Sequence, residues 1–308
     1  LINTKDNEKS PFIHSDSQTL YYSSDGKKGM GGFDIFYSKM LEDGWSVPQN
    51  IGYPINNEGD DLGFVVSTDG SKAYFSSNKF NSSGGYDIYS FALYEKARPQ
   101  KVVLLKGQLT DDNGEILTDA KIEIKDLETQ TVREGLVDPM TGRYAVVVVP
   151  SVKTDLILTV KKKNYAFKSE YLALDSIKPK KIIKLDFEVP PIEIGKAIVL
   201  NNIYFGTNSD VLSRESKKVL NEFAMYLKDN TRIKIRIDGH TDSVDTEEFN
   251  LDLSTRRAKA VFEYIVSLGI DETRLSYKGF GESHPISDNE SASGMAKNRR
   301  TEFFILAK

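Results

Sequence analysis

The sequence predicts a multidomain chain: all-β propeller blades over residues 1–97, an all-β sandwich over 98–190, and an α+β domain of order β-α-β-α-β-β over 191–308. Three observations carry this reading. A stretch near the N-terminus returns 53 residues later. The middle of the chain alternates Val, Ile, Leu and Thr with charged residues between turn signals. Near the C-terminus, helix-period segments alternate with strand-period ones.

Composition narrows the classes of function. The net charge is -4 and the chain has no cysteine, so disulfides and thiolate sites are excluded and an oxidising compartment is a comfortable setting. No basic segment marks a nucleic-acid footprint. No apolar run is long enough to span a bilayer, and no membrane-spanning segment is expected. The start at Leu1, in the polar run LINTKDNEKS and without a signal peptide, reads as a piece of a longer or processed chain.

The repeat comes first. Tyr21-Tyr22-Ser23-Ser24 recurs as Tyr74-Phe75-Ser76-Ser77, and Gly31-Gly32-Phe33-Asp34-Ile35-Phe36 recurs as Gly84-Gly85-Tyr86-Asp87-Ile88-Tyr89. Short alternating runs broken by Gly and Asp predict antiparallel strands, and units of this size suit propeller blades. The pattern resembles the PD40 type of propeller repeat, related to WD40. A closed propeller takes about four to eight blades, so the two seen here imply further blades upstream. Asp34 and Asp87 occupy one blade position and are expected to bond a turn rather than a ligand.

The middle segment has turns at Asp112-Asn113-Gly114 and Pro139-Met140-Thr141-Gly142 between alternating runs, which predicts a small β-sandwich. Gly107-x-Leu109, Asn113-Gly114, Ala120-x-Ile122, Thr141-Gly142-x-Tyr144 and Asn164-Tyr165 resemble the carboxypeptidase regulatory-like domain, a transthyretin-like sandwich. The resemblance implies a spacer or docking surface. Lys161-Lys162-Lys163 reads as a solvated strand end, KPKK from Lys178 as a strand edge, and EVPPIEIGK as a linker.

From Ala197, AIVLNNIYF is the expected first strand. Ser213 is placed to cap the first helix, whose Val219, Leu220, Phe223 and Leu227 share one face. RIKIRIDGH alternates as a half-buried strand. In the second helix Ala258, Val261, Ile265 and Leu268 point inward and Gly269 stops it. RLSYKGFGESHP and RRTEFFILAK supply the last strands, joined by a short turn, with the helices on one face of a mixed sheet.

Four ordered motifs in this segment, Gly239-His240-Thr241-Asp242, then Asn250-x-x-Leu253-Ser254-x-x-Arg257-Ala258, then Gly279-x-Gly281-Glu282-x-x-Pro285, then Asn298-Arg299-Arg300-x-Glu302-Phe303, resemble the OmpA-like peptidoglycan-binding domain over 197–308. The resemblance implies a ligand, the meso-diaminopimelate of the peptidoglycan stem peptide, that carries an ammonium and a carboxylate on one carbon. An Asp and an Arg answer that pair through charge-assisted hydrogen bonds. By resemblance Asp242 takes the ammonium and Arg257 the carboxylate, with Thr241 and Asn250 beside them and Asn298 and Arg299 closing the pocket from the last strand. Asn250, Ser254 and Arg257 fall on one helical face. Against this stand plainer roles: Arg256 as a surface residue, Asn250 as a cap, and Asp242 with Arg257 as a structural ion pair. The family pattern has an aspartate after the first strand where this chain has Gly206, and Asn208 or Asp210 are the local substitutes.

An enzyme is not expected. His14, His240 and His284 stand in separate motifs without metal-ligand spacing, no Gly-x-Ser-x-Gly elbow occurs, and neither cofactor nor metal is called for. His240 is expected to hold its turn. The functional expectation is a non-catalytic periplasmic anchor, associated with the outer membrane and cell wall, whose propeller and sandwich face envelope or secretion-complex proteins. The domain order resembles envelope proteins of Bacteroidetes-type bacteria, including a component of type IX secretion and gliding machinery. The alternative is a scaffold whose C-terminal domain makes only protein contacts.

Overall fold

The computed structural model describes residues 1–79, 84–149, 155–173 and 182–308. The KPKK run lies outside them. Two compact units result, one built mainly on Leu1–Leu105, the other containing Lys106–Val146 and Lys184–Lys308.

In the first unit, β1 (Glu8–Ile13), β2 (Thr19–Ser24) and β3 (Asp34–Leu41) form an antiparallel meander, with β4 (Gly44–Trp45) and β5 (Gln49–Asn50) paired to β3. A second meander, β6 (Asp61–Val66), β7 (Lys72–Ser77) and β8 (Asp87–Ala92), repeats the first strand for strand. The repetition extends to the bulge, at Lys9/Phe12 in one and Leu62/Val65 in the other, where Ser10 and Gly63 both adopt positive φ. The meanders pack through Tyr21, Ile35, Phe64 and Phe75, with the Tyr21 and Phe64 rings 5.0 Å apart. The Asp34 carboxylate accepts from the amides of Met30 (2.9 Å) and Gly31 (3.2 Å), which ties down the turn before β3. The described residues form two such meanders and no closed ring.

The middle of the chain runs β9 (Val103–Thr110), β10 (Lys121–Asp126), β11 (Val132–Val137), β12 (Arg143–Val148), β13 (Leu156–Lys161), β14 (Lys168–Leu172), β15 (Ile182–Lys184) and β16 (Phe187–Glu188). These strands form a nearly closed sheet of hydrogen-bonded neighbours in the order β14-β13-β10-β11-β12-β9-β15, with β16 parallel to β9. Pairing of β9 with β12 supplies the link that joins the strands into one sheet. Leu156 to Val160 are buried on both faces of β13.

The C-terminal segment runs β17 (Ala197–Val199), α1 (Arg214–Asp229), β18 (Lys234–Gly239), α2 (Glu247–Ser267), β19 (Leu275–Gly279), α3 (Ala292–Asn298) and β20 (Thr301–Ala307). The sheet order is β17-β20-β18-β19. Strand β18 is parallel to β19 and antiparallel to the inserted β20. Ser213 caps α1 by accepting from the Ser216 amide, and α2 ends before Gly269 at φ +87.

Two expectations need correction. The first strand stops at Val199, with Asn202 at positive φ and only an isolated bridge at Phe205. The expected short turn before the last strand contains α3, capped by Ser291. Its Ser-Ala-Ser-Gly start reads as a turn, but Gly294 lets the backbone approach Asp288, whose carbonyl oxygen would stand 2.1 Å from any Cβ there.

The core joins Val219, Phe223 and Leu227 of α1 to Val261 and Ile265 of α2 and to Ile235, Ile237, Phe303 and Ile305 of the sheet. Ile157 of β13 and Phe167, just before β14, enter the same core, with Phe167 5.3 Å from the Phe223 ring. Lys125–Glu222 and Lys218–Asp155 ion pairs, each 2.8 Å, flank this contact.

Candidate functional site

The parallel strands β18 and β19 end in glycines that face each other, Gly239 opposite Gly279. Helix α2 crosses there. A Cβ at Gly239 would stand 2.3 Å from the Ser254 carbonyl oxygen, and one at Gly279 would stand 2.5 Å from the Thr255 amide nitrogen. The missing side chains therefore set how near α2 lies to the strand ends. Beyond β19, the Gly281 amide donates to Ser254 Oγ (2.9 Å) and the Gly281 carbonyl accepts from the Thr241 amide (2.9 Å). The two loops leaving the strands are thus bonded to each other and to the helix.

A cleft of about 550 Å³ opens between these loops, the first turns of α2, the 204–208 segment, Met295 and Arg299. That size suits a small ligand. Asp242 is nearly buried and accepts from the Arg299 guanidinium, while its other oxygen accepts from the Val244 amide at 3.2 Å. Arg257 donates from Nε to the Ser209 carbonyl (2.9 Å) and from Nη2 to the Gly206 carbonyl (3.1 Å), and its guanidinium lies 5.1 Å from the Phe205 ring centroid. Burial lowers its pKa, as do Arg256 and Arg299 nearby, while Asp242 and Asp210 pull the other way.

Behind the cleft, the His240 ring stacks on Phe280 with centroids 5.3 Å apart, and its Nε2 is 3.5 Å from Glu302. Glu302 is largely buried, which by itself raises a carboxyl pKa. The His240 ring 3.5 Å away and the hydrogen-bonded guanidinium of Arg300 outweigh this and bring it down to about 2. The His240 amide donates to the Arg300 carbonyl at 3.0 Å. This anchors the strand end that presents Thr241 and Asp242.

Residues 204–299 match the model of the OmpA family. The C-terminal segment is an OmpA-like domain. Outer membrane protein A of Bordetella avium is 36% identical over 117 residues, which is 38% of this chain and 60% of that protein. The peptidoglycan-associated lipoprotein of Buchnera aphidicola subsp. Baizongia pistaciae is 34% identical over 101 residues, 33% of this chain and 58% of that protein. The alignments thus span about three-fifths of the length of these relatives. Among solved structures, the peptidoglycan-associated lipoprotein of Burkholderia pseudomallei is 29% identical, covering 33% of this chain and 87% of that one at a TM-score of 0.32.

Within the OmpA-like domain, Thr241, Asp242, Asn250, Arg257 and Arg299 all line the one cleft. The partnership inside it differs from the simplest reading: Asp242 pairs with Arg299, not Arg257. Arg299 follows helix α3 instead of standing on the last strand. Asn298 does not line the cleft. It is fully buried, its Oδ1 accepting from the amides of Ile286 and Ser287 and its Nδ2 donating to the Ser287 carbonyl and Asn289. An amide that gathers one loop in this way has no group left for a ligand. Of the two substitutes for the missing carboxylate, Asn208 lines the cleft, whereas Asp210 lies 3.5 Å from Arg256 on the exposed side of α2.

Glu282 belongs to the third motif but carries no role in the sequence reading. Its carboxylate accepts from Asn250 Nδ2 at 2.6 Å. The only sign of it in the sequence is its place directly after Gly279-Phe280-Gly281. Among the described residues, no group of three His, Asp or Glu is arranged to hold a metal ion.

Proposed function

We propose that the OmpA-like domain holds the free end of a diaminopimelate stem peptide, so that the chain anchors a periplasmic envelope assembly to peptidoglycan without catalysis. One observation carries this reading: Asp242, Arg257 and Arg299 meet in a single cleft large enough for a zwitterion. A ligand ammonium replaces the half-exposed Arg299 guanidinium on Asp242, exchanging one charge-assisted hydrogen bond for another. The ligand carboxylate takes the guanidinium of Arg257, which neutral carbonyls hold at rest. Since both resting partners are weaker than or equal to the incoming ones, binding proceeds without leaving a buried charge unpaired. The peptidoglycan-associated name of the Buchnera relative agrees with this ligand class. Tethering of an outer-membrane or secretion assembly through the two β-rich regions belongs to the same proposal.

The second reading, a protein-contact scaffold, has its own support. Asp242 is already neutralised by Arg299, and Arg257 is already engaged by the loop that carries Gly206. Calorimetric titration of the whole chain with a diaminopimelate stem peptide separates the two, with a lysine-containing stem as control. The whole chain is used because Phe167 and Ile157 belong to the domain's core. Selective binding that Arg257→Ala abolishes supports the anchor. Absence of binding by the folded chain supports the scaffold.

A further inference from the structure

Asn250 stands in the first turn of α2 and is 2% exposed, yet only half of its amide is partnered. Nδ2 donates to Glu282 at 2.6 Å, and no donor among the described residues reaches Oδ1. An ionised carboxylate only accepts hydrogen bonds, so it dictates which end of the amide it meets. The NH2 must face Glu282. The oxygen is left, in a residue that lines the cleft, as an unused acceptor.

Glu282 is itself held firmly. Gly281 before it adopts φ +53, and a Cβ there would stand 3.1 Å from the Leu251 amide, so the loop lies directly against α2. The bonds from Gly281 to Ser254 and Thr241 fix it at both ends. Thr241 adds a second acceptor, since its Oγ1 is buried without a hydrogen-bond partner beside the same cleft.

We propose that Glu282 is a positioning residue that locks Asn250 as a hydrogen-bond acceptor and thereby gives the cleft its preference for a ligand bearing an ammonium group beside its carboxylate. This rests on the stem-peptide reading above. An ammonium has three donors. Asp242 answers one, and Asn250 Oδ1 answers another. Were the amide turned over, its NH2 would meet the ammonium donor to donor. A site built with fixed acceptors also rejects a ligand lacking the donor, because those acceptors then stay unpaired.

The test uses the whole chain and two probes, a tripeptide stem ending in meso-diaminopimelate and the same tripeptide acetylated on its distal amine. The wild type is expected to favour the free amine by about tenfold or more. Glu282→Gln frees the amide to turn, and should cut that preference several-fold while the acetylated peptide binds within about twofold of wild type. The exchanged pair Glu282→Gln with Asn250→Asp restores a donor-to-carboxylate bond of reversed sense and keeps an acceptor toward the cleft. It should retain the preference. An unchanged preference in Glu282→Gln overturns the proposal, as does its loss in the exchanged pair. If Glu282→Gln does not fold, the exchanged pair decides alone. Failure of the wild type to bind either peptide overturns the stem-peptide reading first, and this proposal with it.

Discussion

Gly239→Ala tests whether the closeness of α2 to the strand ends is what builds the cleft. The added Cβ would stand 2.3 Å from the carbonyl oxygen of Ser254, a backbone atom in the middle of a helix, and 3.3 Å from Ala258 Cβ. Ordinary contact starts near 3.4 Å, so α2 must retreat by about 1 Å for the methyl to fit. No rotamer relieves this, because neither atom belongs to a flexible side chain end. Overpacking of this kind costs about 1–3 kcal/mol. The same retreat carries Asn250 and Arg257 away from Asp242, which stays on its strand end. A misplacement of about 1 Å in a site of opposed charges lowers affinity by about a hundredfold. Thermal unfolding and stem-peptide titration on the same sample read both effects. Gly206→Ala serves as the control, since its Cβ meets only the Ser209 side chain at 3.3 Å. Should Gly239→Ala melt and bind as the wild type does, the helix is not positioned by the glycine pair and the reasoning fails.

Three further outcomes are expected. The Glu302 carboxyl ordinarily titrates at 4.5 and is brought down to about 2 in the folded domain. Its stabilisation is therefore complete above the unfolded value of 4.5 and is lost as pH falls toward 2, amounting to about 3 kcal/mol. Urea unfolding at pH 7 and pH 3 should show about 2 kcal/mol of this loss in the wild type, the remainder going only as pH falls through 2, and a flatter response in Glu302→Gln. Gly206→Asp places a second carboxylate beside the cleft, where the nearest obstacle to its Cβ is the Ser209 side chain. It should tighten stem-peptide binding about tenfold, measured calorimetrically, and unchanged affinity would show that the ammonium lies elsewhere. Phe167→Ala empties a site that packs on both Phe223 and Tyr226. A loss of about 3–5 kcal/mol is expected in the unfolding of the OmpA-like domain itself, and an unmoved transition there would show that the shared core carries no stability.

Much of the site was legible because its chemistry is written in short strings. Asp242 and Thr241 lie together after a strand, and Asn250 and Arg257 recur at helical spacing, so the sequence alone brings them to one helix face and one loop. The repeat near the N-terminus was legible for the same reason, since its recurring strings are local patterns, whereas the shared bulge at Ser10 and Gly63 emerged only in the structure. Helix α3 was not legible. Seven residues, Ala292 to Asn298, are too few to show a helical period, and the Ser291 cap together with the close packing of Gly294 against Asp288 settles the segment as a helix.

The order of residues along the chain thus supplies the groups: Asp242, the arginines, the glycines and the succession of strands and helices that carries them. Which groups become partners was decided by tertiary structure. Arg299 reaches Asp242 across 57 residues, Asn250 meets Glu282 across 32, and Asn298 turns away to a loop. Pairing of this kind depends on distances of a few ångströms between segments far apart in the chain, and charge-assisted bonds weaken steeply beyond that reach. No local pattern encodes such distances. They follow from how closely α2 packs on Gly239 and Gly279, a spacing that exists only once strands and helix are assembled.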